Sequence, residues 1–98
     1  MKGKSEMELK NTVAMMNSED YKERFKAEYY QLKIRYEKLK AFCNKIEAAI
    51  STKYEETSTK IEEPKHDVPY NILREQQRVM GEYLHMLELR AVIEGVEL

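Results

Sequence analysis

A heptad repeat of apolar residues in the first half of the chain constrains the fold most strongly. From Phe25 onward, apolar side chains recur at a sustained spacing of four and three residues, at positions 25, 29, 32, 36, 39, 43, 46 and 50. This spacing is typical of a helix whose apolar stripe packs against another helix. The segment NSED just before the repeat supplies a capping residue and first-turn acids. The sequence therefore predicts a long helix over about residues 19–52.

A second heptad pattern occupies the last third of the chain. It has two adjacent apolar rows, one at positions 72, 79, 86 and 93 and the other at 73, 80 and 87. Asp67 and Pro69 precede it as a cap and a first-turn proline, which predicts a helix over about residues 69–94. The polar stretch at 51–68, which contains Pro64 and has no periodicity, is expected to be a connecting loop. Two apolar rows are more than one partner helix can cover.

These patterns predict an all-α fold, a long antiparallel helical hairpin with a short N-terminal helix from about Ser5. We divide the chain into an N-terminal extension at 1–16 and a hairpin domain at 17–98. With 98 residues, only three Gly and two Pro, a fold of many short strands is excluded. A domain this small buries little surface alone, so we expect the hairpin to form oligomers.

The sequence lacks the motifs that mark catalytic or metal sites. The histidines His66 and His85 have no HExxH or CxxC companions, and there is no GxSxG elbow, Walker loop or GxGxxG fingerprint. The single cysteine, Cys43, lies on the apolar stripe and is expected to be a buried thiol. No secretory or membrane-spanning apolar run is present. We therefore expect no enzymatic activity, no metal, no cofactor and no membrane partner.

Polar residues interrupt the apolar stripes of both helices. Gln76, Tyr83 and Arg90 form a row seven residues apart, and Glu28 and Arg35 lie inside the stripe of the first long helix. One interpretation is a buried network in which Glu28 pairs with Arg35 or Arg90 to fix the helix register. The other is a polar pocket at an oligomer interface.

A different sector of the second helix gathers Tyr70, Arg74, Gln77, Arg78, Gly81 and His85. A glycine inside a helix costs about 1 kcal/mol relative to alanine, so Gly81 suggests close approach of a helix or a ligand. Arg74 and Arg78 lie one turn apart near the helix N-terminus, where arginines can hold a phosphate. The alternative is two solvated arginines.

The first long helix has a local excess of positive charge between Lys33 and Lys45, interleaved with Tyr36 and Phe42. Cations beside aromatic rings are the combination that nucleotide sites use. Alternatively, these lysines flank and shield the apolar seam. Because 17 Lys+Arg face 18 Asp+Glu, for a net charge of -1, a small anionic ligand is favoured over a nucleic-acid polymer.

Together the two long helices resemble the phage hairpin-domain sponges that defeat CBASS and Thoeris immunity by sequestering cyclic nucleotide signals. In the first helix the segment ERFKAEYYQLKIRYEKLKAF carries the matching residues Arg24, Glu28, Leu32, Arg35, Leu39 and Phe42. In the second the segment NILREQQRVMGEYLHMLELR carries Leu73, Gln76, Met80, Tyr83, Leu87 and Arg90.

The resemblance implies a compact hexamer with ligand pockets between protomers and no turnover, acting in the cytoplasm of the infected bacterial host. One class of pocket in that family, between paired protomers, takes cyclic dinucleotides or cyclic ADP-ribose isomers. Another, around a threefold axis, takes cyclic trinucleotides. Arg74 and Arg78 resemble the phosphate ligands of this second pocket.

For the pocket between paired protomers, the resemblance implies an aromatic stacking group and a lysine about four turns later. Phe25 and Lys40 fit these positions, with Tyr21 and Lys38 as the nearest alternatives. The N-terminal extension and the long loop before Pro69 depart from the compact members of the family.

The alternative to a sponge is a coiled-coil structural or adaptor protein that binds another protein through its second apolar row. A third interpretation, an enzyme that cleaves cyclic nucleotides, requires a general base that the sequence does not supply.

Overall fold

The computed structural model describes residues 7–55 and 61–98. Its elements are a 3-10 turn and three α-helices: the turn Leu9–Asn11, α1 Thr12–Met16, α2 Tyr21–Ser51 and α3 Tyr70–Glu94. Within the described ranges there is no strand, which confirms the all-α prediction. Both long helices lie close to their predicted bounds. The expected start of the short helix near Ser5 lies outside the described residues, and the described part begins at Leu9.

The start of α2 is fixed by the acidic segment that precedes it. Asp20 is the N-cap residue, and its side chain accepts a hydrogen bond from the Lys22 N–H at 3.0 Å. Glu23 lies in the first turn, where its negative charge interacts favourably with the positive end of the helix dipole. Arg24 donates to the Ser18 carbonyl oxygen at 2.9 Å. The segment read from the sequence as a helix start therefore acts through Asp20.

Helix α3 begins one residue later than predicted, because Pro69 is its N-cap and Tyr70 its first residue. The Pro69 carbonyl accepts from the N–H groups of Ile72 and Leu73, and Asp67 does not cap the helix. A proline suits this position because it has no N–H to leave unsatisfied. At the other end Gly95 adopts a left-handed conformation with φ 71°.

Helices α2 and α3 pack as the predicted antiparallel hairpin. Its main core joins the first half of α2 to the second half of α3, through Phe25, Tyr29, Leu84, Leu87, Ala91 and Val96. The chain reverses after α3, and the Val96 N–H bonds the Ala91 carbonyl at 2.9 Å, which turns Val96 into this core. Cys43 and Ile46 are fully buried further along the stripe, as expected for a core thiol.

The last position of the apolar stripe differs from the prediction. Ile50 was expected in the seam but is half exposed. The reason is the start of α3, since Arg74 in its first turns is bonded to Glu47. The final turn of α2 therefore extends past the point where α3 begins.

The N-terminal segment packs on a second face of α2. Met7 and Leu9 line a small cleft together with Ile34 and Lys38. Closer to the start of α2, the Gln31 amide donates to the Met16 sulfur at 3.4 Å. Residues 7–16 thus cover a face of α2 that α3 leaves open.

The His66 side chain joins two other residues of the loop segment before α3. Its Nδ1 lies 2.7 Å from the Val68 carbonyl oxygen and its Nε2 lies 2.7 Å from a Glu63 carboxylate oxygen. Its ring is edge-on to Phe42 of α2, with 6.3 Å between the ring centroids. Because both partners are acceptors, both nitrogens must donate, and only the imidazolium form can do so. The hydrogen bond to Glu63 accordingly raises the pKa of His66.

Candidate ligand-binding site

An open groove of about 840 Å³ lies where α3 faces Tyr36 of α2. It is lined by Tyr36, Arg74, Gln77, Arg78, Gly81, Glu82, His85 and Met86. Its volume falls within the range of small-molecule sites, about 300 to 1,000 Å³. The structure thus brings together most of the sector that the sequence singled out on this helix. Tyr70, the remaining member, reaches the groove indirectly by accepting a hydrogen bond from Arg74.

Gly81 lies directly against the Tyr36 ring. A Cβ atom added at position 81 would lie 3.3 Å from Tyr36 Cε1 and 3.6 Å from its hydroxyl oxygen. The sequence-based expectation of a close neighbour at Gly81 is therefore confirmed, and the neighbour is an aromatic side chain of the facing helix. The glycine leaves room for the Tyr36 ring to form one wall of the groove.

Arg74 fastens the two long helices together at one end of the groove. Its Nη2 donates to Glu47 at 2.5 Å and to Asn44 at 2.9 Å, both on α2. On α3 its Nε donates to the Tyr70 hydroxyl at 2.8 Å and its Nη1 to Gln77 at 2.5 Å. The guanidinium group is thus bonded on all three nitrogens by protein groups. Arg74 acts first as a clamp between helices.

Arg78 lies one turn further along, and both of its carboxylate partners are on its own helix. Its Nη2 is 2.6 Å from Glu75 and its Nη1 is 2.6 Å from Glu82. The side chain of Arg78 is 55% exposed. The hydrogen bond from Arg78 holds the pKa of the Glu75 carboxyl below its usual range. Arg74 is therefore partly buried between the helices, whereas Arg78 is largely exposed to solvent and carries two ion pairs within α3.

The charges around the groove nearly cancel in one chain. The positive residues are Arg74 and Arg78, and their bonded partners are three carboxylates, Glu47, Glu75 and Glu82. The sequence analysis missed these partners. Glu75 and Glu82 stand three residues before and four after Arg78, a spacing that brings side chains together on a helix. Glu47 lies on α2 and meets Arg74 only when the two helices pack against each other, so its spacing in the sequence does not reveal the pair.

The polar row on α3 fixes the register between the helices. The Tyr83 hydroxyl donates to the Glu28 carboxylate of α2. This corrects the expected partner of Glu28, which was Arg35 or Arg90. The bond raises the pKa of Tyr83. The expected burial of this network is wrong, because Gln76, Tyr83 and Arg90 are all exposed, and the bond from Tyr83 to Glu28 joins the two helices at the surface.

Phe25 is a core residue of the single hairpin, 2% exposed. The Arg90 guanidinium carbon lies 4.9 Å from the centroid of its ring, and Tyr21 meets the ring edge-on at 6.2 Å. Arg90 is held there because it donates to the Tyr21 hydroxyl at 2.5 Å and to Glu94 at 3.1 Å. Of the two aromatics expected to stack on a ligand, Tyr21 is the exposed one.

The two candidate lysines lie far from these aromatics within one chain. Lys38 lines the cleft beside the N-terminal segment, and Lys40 is exposed. Phe25 and Lys40 are separated along α2 by about 22 Å at 1.5 Å per residue. One hairpin therefore does not bring them to the same small ligand. A pocket that uses both needs two copies of the chain.

One apolar row of α3 is left largely exposed by the hairpin, and one of its members, Met86, also lines the groove. Its members are between 48% and 81% exposed: Ile72, Val79, Met86 and Ile93. We call these four residues the outer row. The expectation that α2 would cover only one of the two apolar rows is confirmed. No helix in the described part of the chain is both long and apolar enough to span a bilayer.

A family model described as Sequestin matches residues 19–93, a range that contains α2, α3 and the connection between them. The chain belongs to the Sequestin family. The match confirms the family resemblance read from the two long helices, and the family's name denotes sequestration. No curated protein and no solved structure matches the chain.

The groove, the register-fixing bond and the outer row of this Sequestin all lie inside the matched range. The N-terminal segment that packs beside Ile34 and Lys38 precedes it. The matched range therefore corresponds to the two long helices and the connection between them.

Proposed function

We propose that this Sequestin sequesters a small cyclic signal of host CBASS or Thoeris defence during phage infection. The bound signal is a cyclic di- or trinucleotide or a cyclic ADP-ribose isomer, and it is held reversibly in the host cytoplasm without being degraded. The observation that carries the proposal is the groove, where the Tyr36 ring and two arginines line one cavity inside the family-matched range.

The lining of the groove supports a ligand that has both a flat base and phosphate groups. Tyr36 and Met86 offer apolar surface against which a base can pack. Arg78 presents a guanidinium fork, the group best suited to hold phosphate oxygens in pairs. A mixed lining of this kind favours a nucleotide over a purely apolar or a purely ionic ligand.

The same lining favours binding without turnover. Glu82, the carboxylate that lines the groove, is held by Arg78 at 2.6 Å. A carboxylate bonded to an arginine of its own helix is placed as a counterion, whereas a general base must lie within reach of a proton on the ligand. Sequestration needs only affinity and copy number.

We further propose that the protein acts as a homohexamer with ligand pockets between protomers. The outer row supports this, because an apolar surface of this kind is stabilised by burial against another chain. The separation of Phe25 and Lys40 in one hairpin supports it as well. A pocket that combines the exposed Tyr21 from one protomer with Lys38 or Lys40 from another satisfies both observations, whereas Phe25 is buried in the core of its own hairpin.

The proposal is tested by incubating the purified protein with a panel of cyclic di- and trinucleotides and cyclic ADP-ribose isomers, then filtering and quantifying the free ligand. At least one member should be depleted, and Arg78→Gln should reduce its depletion. Lys53→Gln, which removes one positive charge from the exposed turn after α2, is the matched control and should not reduce depletion. Failure to deplete any member would overturn the proposal.

The outer row also fits a second candidate, a coiled-coil adaptor that binds another protein. The mass in solution separates the two functions. A hexamer supports the sponge, whereas a monomer or dimer that gains mass only with a protein partner supports the adaptor.

A further inference from the structure

Arg78 is shared by two carboxylates that approach it from opposite sides along α3. The Glu75 carboxylate accepts hydrogen bonds from Nη2 of Arg78 at 2.6 Å and from Nε at 3.2 Å, while the Glu82 carboxylate accepts one from Nη1 at 2.6 Å. The fork of the guanidinium group, which a phosphate would use, is thus already occupied. Any anion that binds Arg78 through this fork must displace a carboxylate.

The carboxylates of Arg78 can be displaced more easily than that of Arg74. Glu47, the partner of Arg74, is on the other helix, so breaking that pair also loosens a contact between helices. Glu75 and Glu82 are on α3 itself and are both more than half exposed. Rotating either side chain into solvent leaves the packing of the hairpin intact.

We propose that Glu75 and Glu82 are built-in competitors for Arg78 that set the affinity and selectivity of the groove for anionic ligands. This inference rests on the proposed function. A ligand with a single negative charge only replaces one anionic partner of Arg78 by another, so its binding gains little free energy. A cyclic oligonucleotide gains more, because it also offers a base to Tyr36 and further phosphates. The two carboxylates thereby discriminate against small monoanions.

The competition predicts that neutralising either carboxylate tightens ligand binding. An exposed ion pair that no longer has to be broken corresponds to about a two- to fivefold gain in affinity. Glu75→Gln and Glu82→Gln should each show a gain of this size, and the double variant a larger one. Helix content by circular dichroism should be unchanged, because both side chains are exposed.

The experiment measures dissociation constants by titration calorimetry for every member of the cyclic-nucleotide panel and for inorganic phosphate. Glu97→Gln is the matched control, because it changes the net charge equally at the exposed C-terminal end. It should leave the affinity unchanged. In an Arg78→Gln background, Glu82→Gln should no longer tighten binding, since the pair that it relieves is gone.

The outcomes separate this inference from the proposed function. If the natural chain binds a panel member and the glutamine variants bind it no more tightly, the inference is overturned and the proposed function stands. If only the double variant binds, the inference is supported and the proposed function is overturned. Absence of binding by every variant overturns both.

Discussion

Arg74 and Arg78 differ in role because their carboxylate partners lie on different elements. Arg74 reaches Glu47 across the hairpin, and Arg78 is bonded to Glu75 and Glu82 on its own helix. An ion pair between elements contributes to the packing of the fold, while one within a helix contributes mainly local stability. The two arginines are therefore expected to respond differently to substitution.

Arg74→Gln should lower the free energy of unfolding by about 1–2 kcal/mol, because it breaks the charged contacts that join the end of α2 to the start of α3. Arg78→Gln should change it by less than about 0.5 kcal/mol. Urea unfolding followed by circular dichroism measures both. An equal loss in the two variants would contradict the division of roles.

Gly81→Ala is expected to make the helix more stable and the groove less able to bind. The added methyl gains up to about 1 kcal/mol of helix propensity. Its contact at 3.3 Å with Tyr36 Cε1 pushes the ring and offsets part of that gain. Thermal unfolding should show a melting temperature no lower than that of the natural chain, together with weaker depletion of the panel ligand. Unchanged depletion would show that the wall formed by Tyr36 is not used.

At the scale of single residues, a close contact could be predicted where the sequence places a residue that is unfavourable for its position in a helix. Gly81 stood out because a glycine costs stability inside a helix, and the structure shows the neighbour responsible. The partner of Glu28 was not predictable. Arg35, Tyr83 and Arg90 all lie on or near the apolar stripes, and the choice among them depends on a helix register that only the folded hairpin fixes.

The loop segment before α3 contains a contact that depends on the protonation of His66. The His66 ring must be protonated to donate to both Glu63 and Val68. Asp67 adds to the same effect, and Phe42 is the neutral neighbour from α2. The first residues of α3 follow this segment directly.

The raised pKa of His66 determines whether the stability of the folded chain rises or falls with pH. A group whose pKa is higher in the folded state than in the unfolded state contributes stability fully below its unfolded pKa, about 6.5. That contribution is lost as the pH rises through the folded value. Melting temperatures between about pH 5.5 and about pH 8.5 should therefore fall, and His66→Gln should flatten the fall. His85→Gln is the control that should retain it, and an unaltered slope in His66→Gln would contradict the assignment.

At the scale of elements, the long helices were predictable because heptad spacing survives over many turns. Their starts were placed closely by the capping segment that ends at Asp20 and by Pro69, which has no N–H to leave unsatisfied. The docking of α1 was not predictable. A helix of five residues is too short to show a periodicity, so nothing in its sequence identifies the face of α2 that it covers.

At the scale of the whole molecule, two surface features carry the proposals for ligand binding and assembly. The groove faces solvent beside Tyr36, and the outer row exposes apolar side chains along α3 and meets the groove at Met86. The net charge of -1 hides this organisation, because the arginines of the groove are balanced by carboxylates beside them. Whether binding pockets also form between chains depends on the outer row.

Val79→Glu should break the assembly that we propose, because it places a charge in the middle of the outer row. The mass measured by light scattering should fall from that of a hexamer, while the helix content stays the same. Val92→Glu is the matched control, since Val92 is 81% exposed and lies outside the outer row. An unchanged mass in Val79→Glu would show that this row is not an interface.

The most direct test of sequestration is the state of the ligand after release. The panel member that the protein depletes is bound, separated from unbound ligand, released by heating and identified by mass spectrometry. A sponge returns the cyclic molecule intact and in the amount that was bound. Recovery of a linear or otherwise cleaved product would contradict binding without turnover.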